Sequence, residues 1–220
     1  MIDESLIRNI VENVVFNILS KRGEFFLLDK KKVKINASNR HLHLTREHLD
    51  ILFGTNFELV KTKDLIQPGE FATDQTVNIA GPKGTIQNVR ILGPVRKYTQ
   101  VEISLTDSFA LGLGKPPLRD SGNLEGSLPV TIIGKAGTVI LDKGLILAQR
   151  HVHMTPEDAQ VFGVKNGDYA KVRVDGPREL VFEKVLMRVS PNYAFEMHVD
   201  IDEANAAMVG ADTYGEIIVN

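Results

Sequence analysis

The chain contains no cysteine. Disulfides are therefore excluded, and any bound metal has to be held by nitrogen and oxygen donors. A strong charge of either sign is missing too: 26 basic residues stand against 28 acidic ones, a formal charge of −2. Such a chain has no broad attraction for nucleic acid or an anionic membrane, and neither is expected as a partner. No apolar run approaches the roughly 20 residues of a spanning helix. Asp3 and Glu4 stand where a signal peptide would carry basic residues, so a cytoplasmic location is expected. Phosphate-binding loops of the Walker and Gly-x-Gly-x-x-Gly kinds are absent as well. What remains is ordinary for a soluble globular protein, 43% hydrophobic and 25% charged over 220 residues, enough for one large or two small domains.

One pattern occurs twice. Ser38-Asn39-Arg40-His41-Leu42-His43-Leu44-Thr45 is matched by Gln149-Arg150-His151-Val152-His153-Met154-Thr155, and each copy reads Arg-His-apolar-His-apolar-Thr. On a strand alternate side chains share a face. The two histidines of a copy then point one way, while Leu42 with Leu44, or Val152 with Met154, point into a core. The threonine stops the strand and caps a helix. Thr155-Pro156-Glu157-Asp158 is a strong helix start, with an N-cap hydroxyl, proline at the first helical position and acids in the first turn. Thr45-Arg46-Glu47 is a weaker version, and the two helices end at Phe53-Gly54 and Phe162-Gly163. Two imidazoles two residues apart on a strand form a pincer for a transition metal. One such pair is as readily two half-exposed residues with no ligand; four of the six histidines in two matching pairs weigh against that reading.

Around the motifs the chain reads mostly as strands. Residues 1–22 are the exception: Ile2, Leu6, Ile10, Val14 and Ile18 fall on one face of an amphipathic helix that Lys21-Arg22-Gly23 ends. That face suits either packing on the body or a second subunit, or docking to another protein. Short strands follow at 25–28 and 33–35. Residues 77–86 form a hairpin pattern around Gly81-Pro82-Lys83-Gly84, and residues 130–139 repeat it around Gly134-Lys135-Ala136-Gly137. Residues 171–178 resemble 88–96. The Gly-x-x-Gly hairpin follows the first motif but precedes the second. The expected architecture is therefore predominantly β: two related, intertwined small β-barrels with one hairpin exchanged, short helices, and the N-terminal helix. The Gly-, Pro- and Ser-rich stretch 112–127 suggests a division into 23–125 and 126–220 after the extension 1–22.

Each histidine pair needs a further ligand. His198, in Glu196-Met197-His198-Val199-Asp200, is the candidate for the second pair. Its surroundings line up loosely with residues 107–109, which sets Gly112 at its place in the first half. A carboxylate is then the natural substitute. Glu102 stands alone among apolar strand residues, although a solvent-facing glutamate is the simpler reading of that position. His48 reads as an ordinary surface histidine.

Taken together, Asn39-Arg40-His41-Leu42-His43-Leu44, Gly93-Pro94-Val95-Arg96 with Thr99-Gln100-Val101-Glu102, and Arg150-His151-Val152-His153 resemble the PduL-type phosphotransacylases, the phosphate propanoyltransferases. The resemblance extends over residues 33–220. It implies two β-barrels with the active site between them, two divalent metal ions that are usually zinc, and interconversion of acyl-CoA plus phosphate with acyl phosphate plus CoA, the acyl group being propionyl or acetyl. Carried over by position, it implies His41, His43 and Glu102 as ligands of one metal, His151, His153 and His198 as ligands of the other, and Arg96 as the phosphate-binding and catalytic arginine. A homodimer is expected. Some members carry an N-terminal helical extension that directs them into a bacterial microcompartment; residues 1–22 are compatible with that role, which would make a shell or core protein a partner.

Attack of phosphate on a thioester requires a polarised carbonyl, two anions brought together and a stabilised thiolate. A guanidinium fork suits phosphate oxygens, which fits Arg96. With no cysteine and no Ser-His-Asp pattern, direct attack in a ternary complex is expected rather than a covalent acyl-enzyme. The loop bearing Lys115 and Arg119 is the candidate for binding CoA. Two alternatives stay open: a metal-dependent hydrolase of a thioester or phosphoester, and a zinc-stabilised scaffold or shell-binding module. Missing cysteines count against the latter, since structural zinc sites usually use them.

Overall fold

The computed structural model describes residues 32–219; the helix expected over 1–22 and the strand at 25–28 lie outside them. The described chain is predominantly β and closes into two six-stranded barrels. The first is built from β2 (His41–His43), β4 (Phe71–Ala80), β5 (Thr85–Gly93), β6 (Gln100–Glu102), β8 (Leu128–Ile133) and β9 (Thr138–Ala148). Its strands run in the order β4-β5-β2-β6-β9-β8, and β8 pairs back onto β4 to close the ring. Two short strands extend it, β3 (Lys61–Asp64) on β4 and β7 (Leu118–Arg119) on β9. The second barrel contains β1 (Lys32–Ser38), β10 (His151–Met154), β11 (Tyr169–Val174), β12 (Leu180–Val189), β13 (Glu196–Asp200) and β14 (Tyr214–Ile218), closed in the order β1-β13-β10-β12-β11-β14.

The pairings expose a smaller repeat than the duplication read from sequence. In the first barrel β2 leads through helix α1 (Arg46–Phe53) to the hairpin β4–β5, and β6 leads through α2 (Leu105–Leu111) to β8–β9. β2 runs parallel to β5 and β6 parallel to β9, while β2 and β6 pair antiparallel. In the second barrel β10, α3 (Pro156–Phe162) and β11–β12 form one such unit. β13, α4 (Ile201–Ala207) and β14 form the other, completed by β1 from the start of the described chain. The hairpins at 77–86 and 130–139 thus belong to one barrel, as its two halves. The counterpart of β4–β5 in the second barrel is β11–β12. A cut between 125 and 126 does not part the barrels, because β8 and β9 complete the first and β1 the second.

Each barrel has its own apolar interior. Leu42, Leu44, Ile79, Ile91, Val101 and Leu145 fill one, and Ile35, Val152, Met154, Val172, Met187 and Met197 the other. The alternation on the motif strands is thereby used on both faces: leucine, valine and methionine go into a barrel, and the histidines go to the opposite side. The two Gly-x-x-Gly tips repeat a packing contact. A Cβ on Gly81 would lie 2.4 Å from the Leu111 carbonyl oxygen at the end of α2, and one on Gly134 would lie 2.3 Å from that of Leu52 in α1. The tips press backbone against helix ends, where Lys83 N donates to Leu111 O and Ala136 N to Leu52 O.

Candidate metal centre

The barrels place their histidine strands on a shared cleft. Each motif strand is followed by a threonine cap: Thr45 accepts from His48 N and Thr155 from Asp158 N, the latter in a full capping box with Pro156 in the first turn. The motif arginines fasten the neighbouring strand–helix connection. Arg40 takes Asp107 of α2 with two nitrogens, at 3.0 and 2.9 Å, and Arg150 takes Glu203 of α4 at 2.6 Å. Asp107 and Glu203 are themselves the acids of the capping boxes that start those helices.

Register then brings a third donor side chain to each pair. His41 lies opposite Glu102 across β2 and β6, and His151 lies opposite His198 across β10 and β13. Glu102, not Gly112, is the counterpart of His198; the loose alignment of residues 107–109 with the stretch before His198 is displaced by ten residues. Two three-residue groups result: His41, His43 and Glu102, and His151, His153 and His198. In each group one donor atom per residue lies within 4.8 Å of the others. Glu102 is buried, not solvent-facing.

The donor atoms fit a metal. His41 Nδ1 donates to the Asn39 carbonyl at 2.9 Å and His151 Nδ1 to the Gln149 carbonyl at 2.8 Å, which leaves each Nε2 with a lone pair. His151 Nε2, His43 Nδ1 and His153 Nδ1 are buried without a hydrogen-bond partner. A polar atom left this way costs about 1–3 kcal/mol. A divalent cation in each group would remove that cost, and a carbonyl on the far nitrogen is the usual support for a metal-bound imidazole.

The electrostatics favour the same state. His43 is held well below the ordinary imidazole value, first by burial and then by His41 and Arg96. Burial, followed by His198, brings His151 down to about 3, and burial, followed by His151 and His198, brings His153 to about 2. Burial works to raise the Glu102 carboxyl, but His41 and His43 outweigh it, the Ser121 hydroxyl adds to them, and the value falls to about 2. At neutral pH these imidazoles are neutral and the carboxylate ionised, as metal binding requires.

The cleft measures about 1230 Å3 and takes residues from both barrels. Arg96 lines it; its main-chain N–H donates to Leu44 O at 2.8 Å and its guanidinium meets Glu70. Lys115 and Arg119 do not line it. Lys115 is exposed, and Arg119 spends its guanidinium on the carbonyls of Glu125 and Leu118. His48 is half-buried, with Nδ1 2.7 Å from the Thr99 hydroxyl. The sequence reading missed Glu196, Gln67, Arg188 and Tyr193. Glu196 is two residues from His198 on the same strand face, a period-two signal that could have drawn attention to it. Nothing local marks the other three.

A profile of the phosphate propanoyltransferase family matches residues 34–210. A protein of Thermotoga maritima named phosphate propanoyltransferase is 53% identical over 195 residues, covering 87% of this chain and 92% of its own length. Proteins of the same name from Clostridioides difficile and Listeria monocytogenes are 47% and 43% identical, each alignment covering 98% of this chain, with 98% and 97% of the relatives' lengths. With the family matched over most of the described chain and relatives aligned nearly end to end, the chain belongs to the phosphate propanoyltransferase family.

Proposed function

We propose that the protein transfers an acyl group, propionyl or acetyl, between CoA and inorganic phosphate at a two-metal site in the cleft. The observation that carries this is the pair of buried donor clusters with orphaned imidazole nitrogens facing one cavity that Arg96 also lines. The name borne by the relatives supports the acyl and phosphate chemistry. His41, His43 and Glu102 would hold one divalent ion and His151, His153 and His198 the other, zinc suiting a donor set without cysteine; when bound, such ions supply Lewis acidity toward a carbonyl and a soft acceptor for a thiolate.

The chain's own groups account for the rest. Arg96 receives the phosphate dianion as a planar fork, held at its backbone by Leu44 and at its guanidinium by Glu70. A phosphate oxygen attacks the thioester carbonyl carbon, the C–S bond breaks, and its electrons leave on the CoA sulfur. Ser121, a hydroxyl of the cleft, accepts from Gln100 at 2.8 Å and supports Glu102, so it is already engaged by structural partners. This favours direct attack over an acyl-enzyme.

A homodimer belongs to the same proposal. So does a role for residues 1–22 as a docking extension toward a shell or core protein of a microcompartment, which would place the enzyme inside that compartment in the cytoplasm. Among the described residues no helix is long and apolar enough to cross a membrane. The test is CoA release from acyl-CoA of increasing chain length, with and without phosphate, on protein of measured metal content. Release independent of phosphate would mark a hydrolase instead.

A further inference from the structure

Five arginines line the cleft: Arg40, Arg90, Arg96, Arg150 and Arg188. Four of them are engaged. Arg40 holds Asp107, Arg90 donates to the Thr73 carbonyl, Arg96 meets Glu70, and Arg150 binds Glu203. Arg188 alone has neither an acid nor a carbonyl as partner among the described residues. It donates to the Tyr193 hydroxyl at 3.1 Å and lies 5.5 Å from that ring's centroid. Tyr193 in turn packs on His153, ring centroids 4.3 Å apart. The guanidinium is thereby aimed and held, yet its charge is left uncompensated.

Its position makes that charge costly. Arg188 is the strand partner of His153 on β12, so its cation stands directly beside the three-histidine cluster. The neighbouring donor set is three imidazoles, unlike the set that contains Glu102, and the carboxylate beside it, Glu196, is taken up by His198, Gln67 and Asn36 rather than by Arg188. A cation fixed beside neutral donors that would themselves hold a divalent ion calls for an anion between them. The reaction proposed above brings one.

We propose that Arg188 anchors the phosphate, or the phosphoryl end of the acyl phosphate, on the three-histidine side of the cleft, opposite the grip of Arg96. The phosphoryl group is then clamped from both barrels, since Arg96 follows β5 of the first and Arg188 lies on β12 of the second. Tyr193 is a positioning residue that keeps the fork facing the cleft.

This rests on the acyl-transfer reading, so the test separates the two. Metal-loaded wild type, Arg188→Gln, Arg188→Lys and Tyr193→Phe are titrated with inorganic phosphate by calorimetry and assayed with phosphate and acyl-CoA varied in turn. Arg188→Gln is expected to raise the phosphate Kd and KM by about 30-fold or more, the loss typical of one charged partner. Acyl-CoA KM and metal content should stay as in wild type. Arg188→Lys should recover part of the loss, because an ammonium cannot reproduce the fork, and Tyr193→Phe should show a smaller loss in the same direction. An unchanged phosphate Kd overturns the proposal. So does a loss that falls on acyl-CoA, which would assign Arg188 to the phosphates of CoA, or one that follows departure of the metal, which would make its role structural. If wild type releases CoA without phosphate, the acyl-transfer reading fails, while the calorimetric Kd values still decide whether Arg188 binds the anion.

Discussion

Glu102 and His198 occupy the same place in the two barrels, each facing the first histidine of its motif across an antiparallel pair. The neighbouring positions are exchanged as well. Gln100, opposite His43, donates to Glu102 Oε1 at 2.5 Å. Glu196, opposite His153, places Oε2 2.9 Å from His198 Nε2. One carboxylate therefore stands at each cluster, opposite the first histidine in the first barrel and two residues from His198 in the second. Glu196 is also where the barrels meet: Gln67 donates to its Oε2 at 2.9 Å and exchanges hydrogen bonds with the backbone of Ala194, while Asn36 donates to Oε1.

The two donor sets should load separately. Purified protein is expected to carry about two divalent metals per chain, with His41→Ala and His151→Ala each losing one. Elemental analysis alongside the phosphate-dependent assay checks this. Full activity in a metal-free preparation would falsify the metal mechanism.

The exchange of carboxylates gives unequal responses to the same substitution. Glu102→Gln removes a charged donor and should release the first metal to a mild chelator. Glu196→Gln keeps an amide in the Gln67 network and should weaken the second site by only about 10- to 100-fold, the usual effect of a group that orients a ligand. Chelator competition on cobalt-substituted protein reads both sites. If Glu196→Gln loses the second metal as completely as His198→Ala, Glu196 is itself a ligand.

The hairpin tips allow a stability test away from the cleft. A Cβ on Gly134 would sit 2.3 Å from the Leu52 carbonyl oxygen, and neither backbone can give way cheaply. Gly134→Ala should cost about 1–3 kcal/mol as overpacking. At this chain length that lowers Tm by about 2–4 °C per kcal/mol. Gly210→Ala, whose nearest neighbour would be 3.9 Å away, is the control and should melt with wild type.

Local features of this fold were legible in the sequence, and long-range ones were not. The motif strands, their alternation, the threonine caps and the Gly-x-x-Gly tips follow from residues within a few positions of one another, and the structure places them as read. Strand partnership is set by pairing across many residues. The similarity of 77–86 to 130–139 therefore carried no information about whether the two hairpins lie in one barrel or two. The membership of β1 in the second barrel was hidden for the same reason. At the site, the histidine pairs announce themselves by spacing. Glu102 does not: a lone glutamate on a strand looks the same whether it faces solvent or a cluster, and only the register opposite His41 distinguishes the cases. Gln67 and Glu196 meet across 129 positions, which no local pattern can encode.

Arg96 follows the Gly93-Pro94 turn and is tied at its backbone to Leu44, one residue beyond His43. It is also among the causes that hold His43 neutral. Its proposed task is to hold phosphate beside the thioester, so Arg96→Ala should impair phosphate use far more than CoA binding. Removing one charged, bidentate contact typically costs about 2–5 kcal/mol, roughly 30- to several-thousand-fold. Arg96→Lys should recover only part, because the fork is lost. Glu70→Gln separates orientation from competition. If the Glu70 carboxylate only aims the guanidinium, the amide should preserve phosphate KM; if it competes with the dianion, KM should fall. Metal content should match wild type in all three variants, since none of these side chains belongs to a donor set. Steady-state kinetics with phosphate varied at saturating acyl-CoA is the measurement. An unchanged phosphate KM and kcat/KM in Arg96→Ala would remove this residue from the phosphate site.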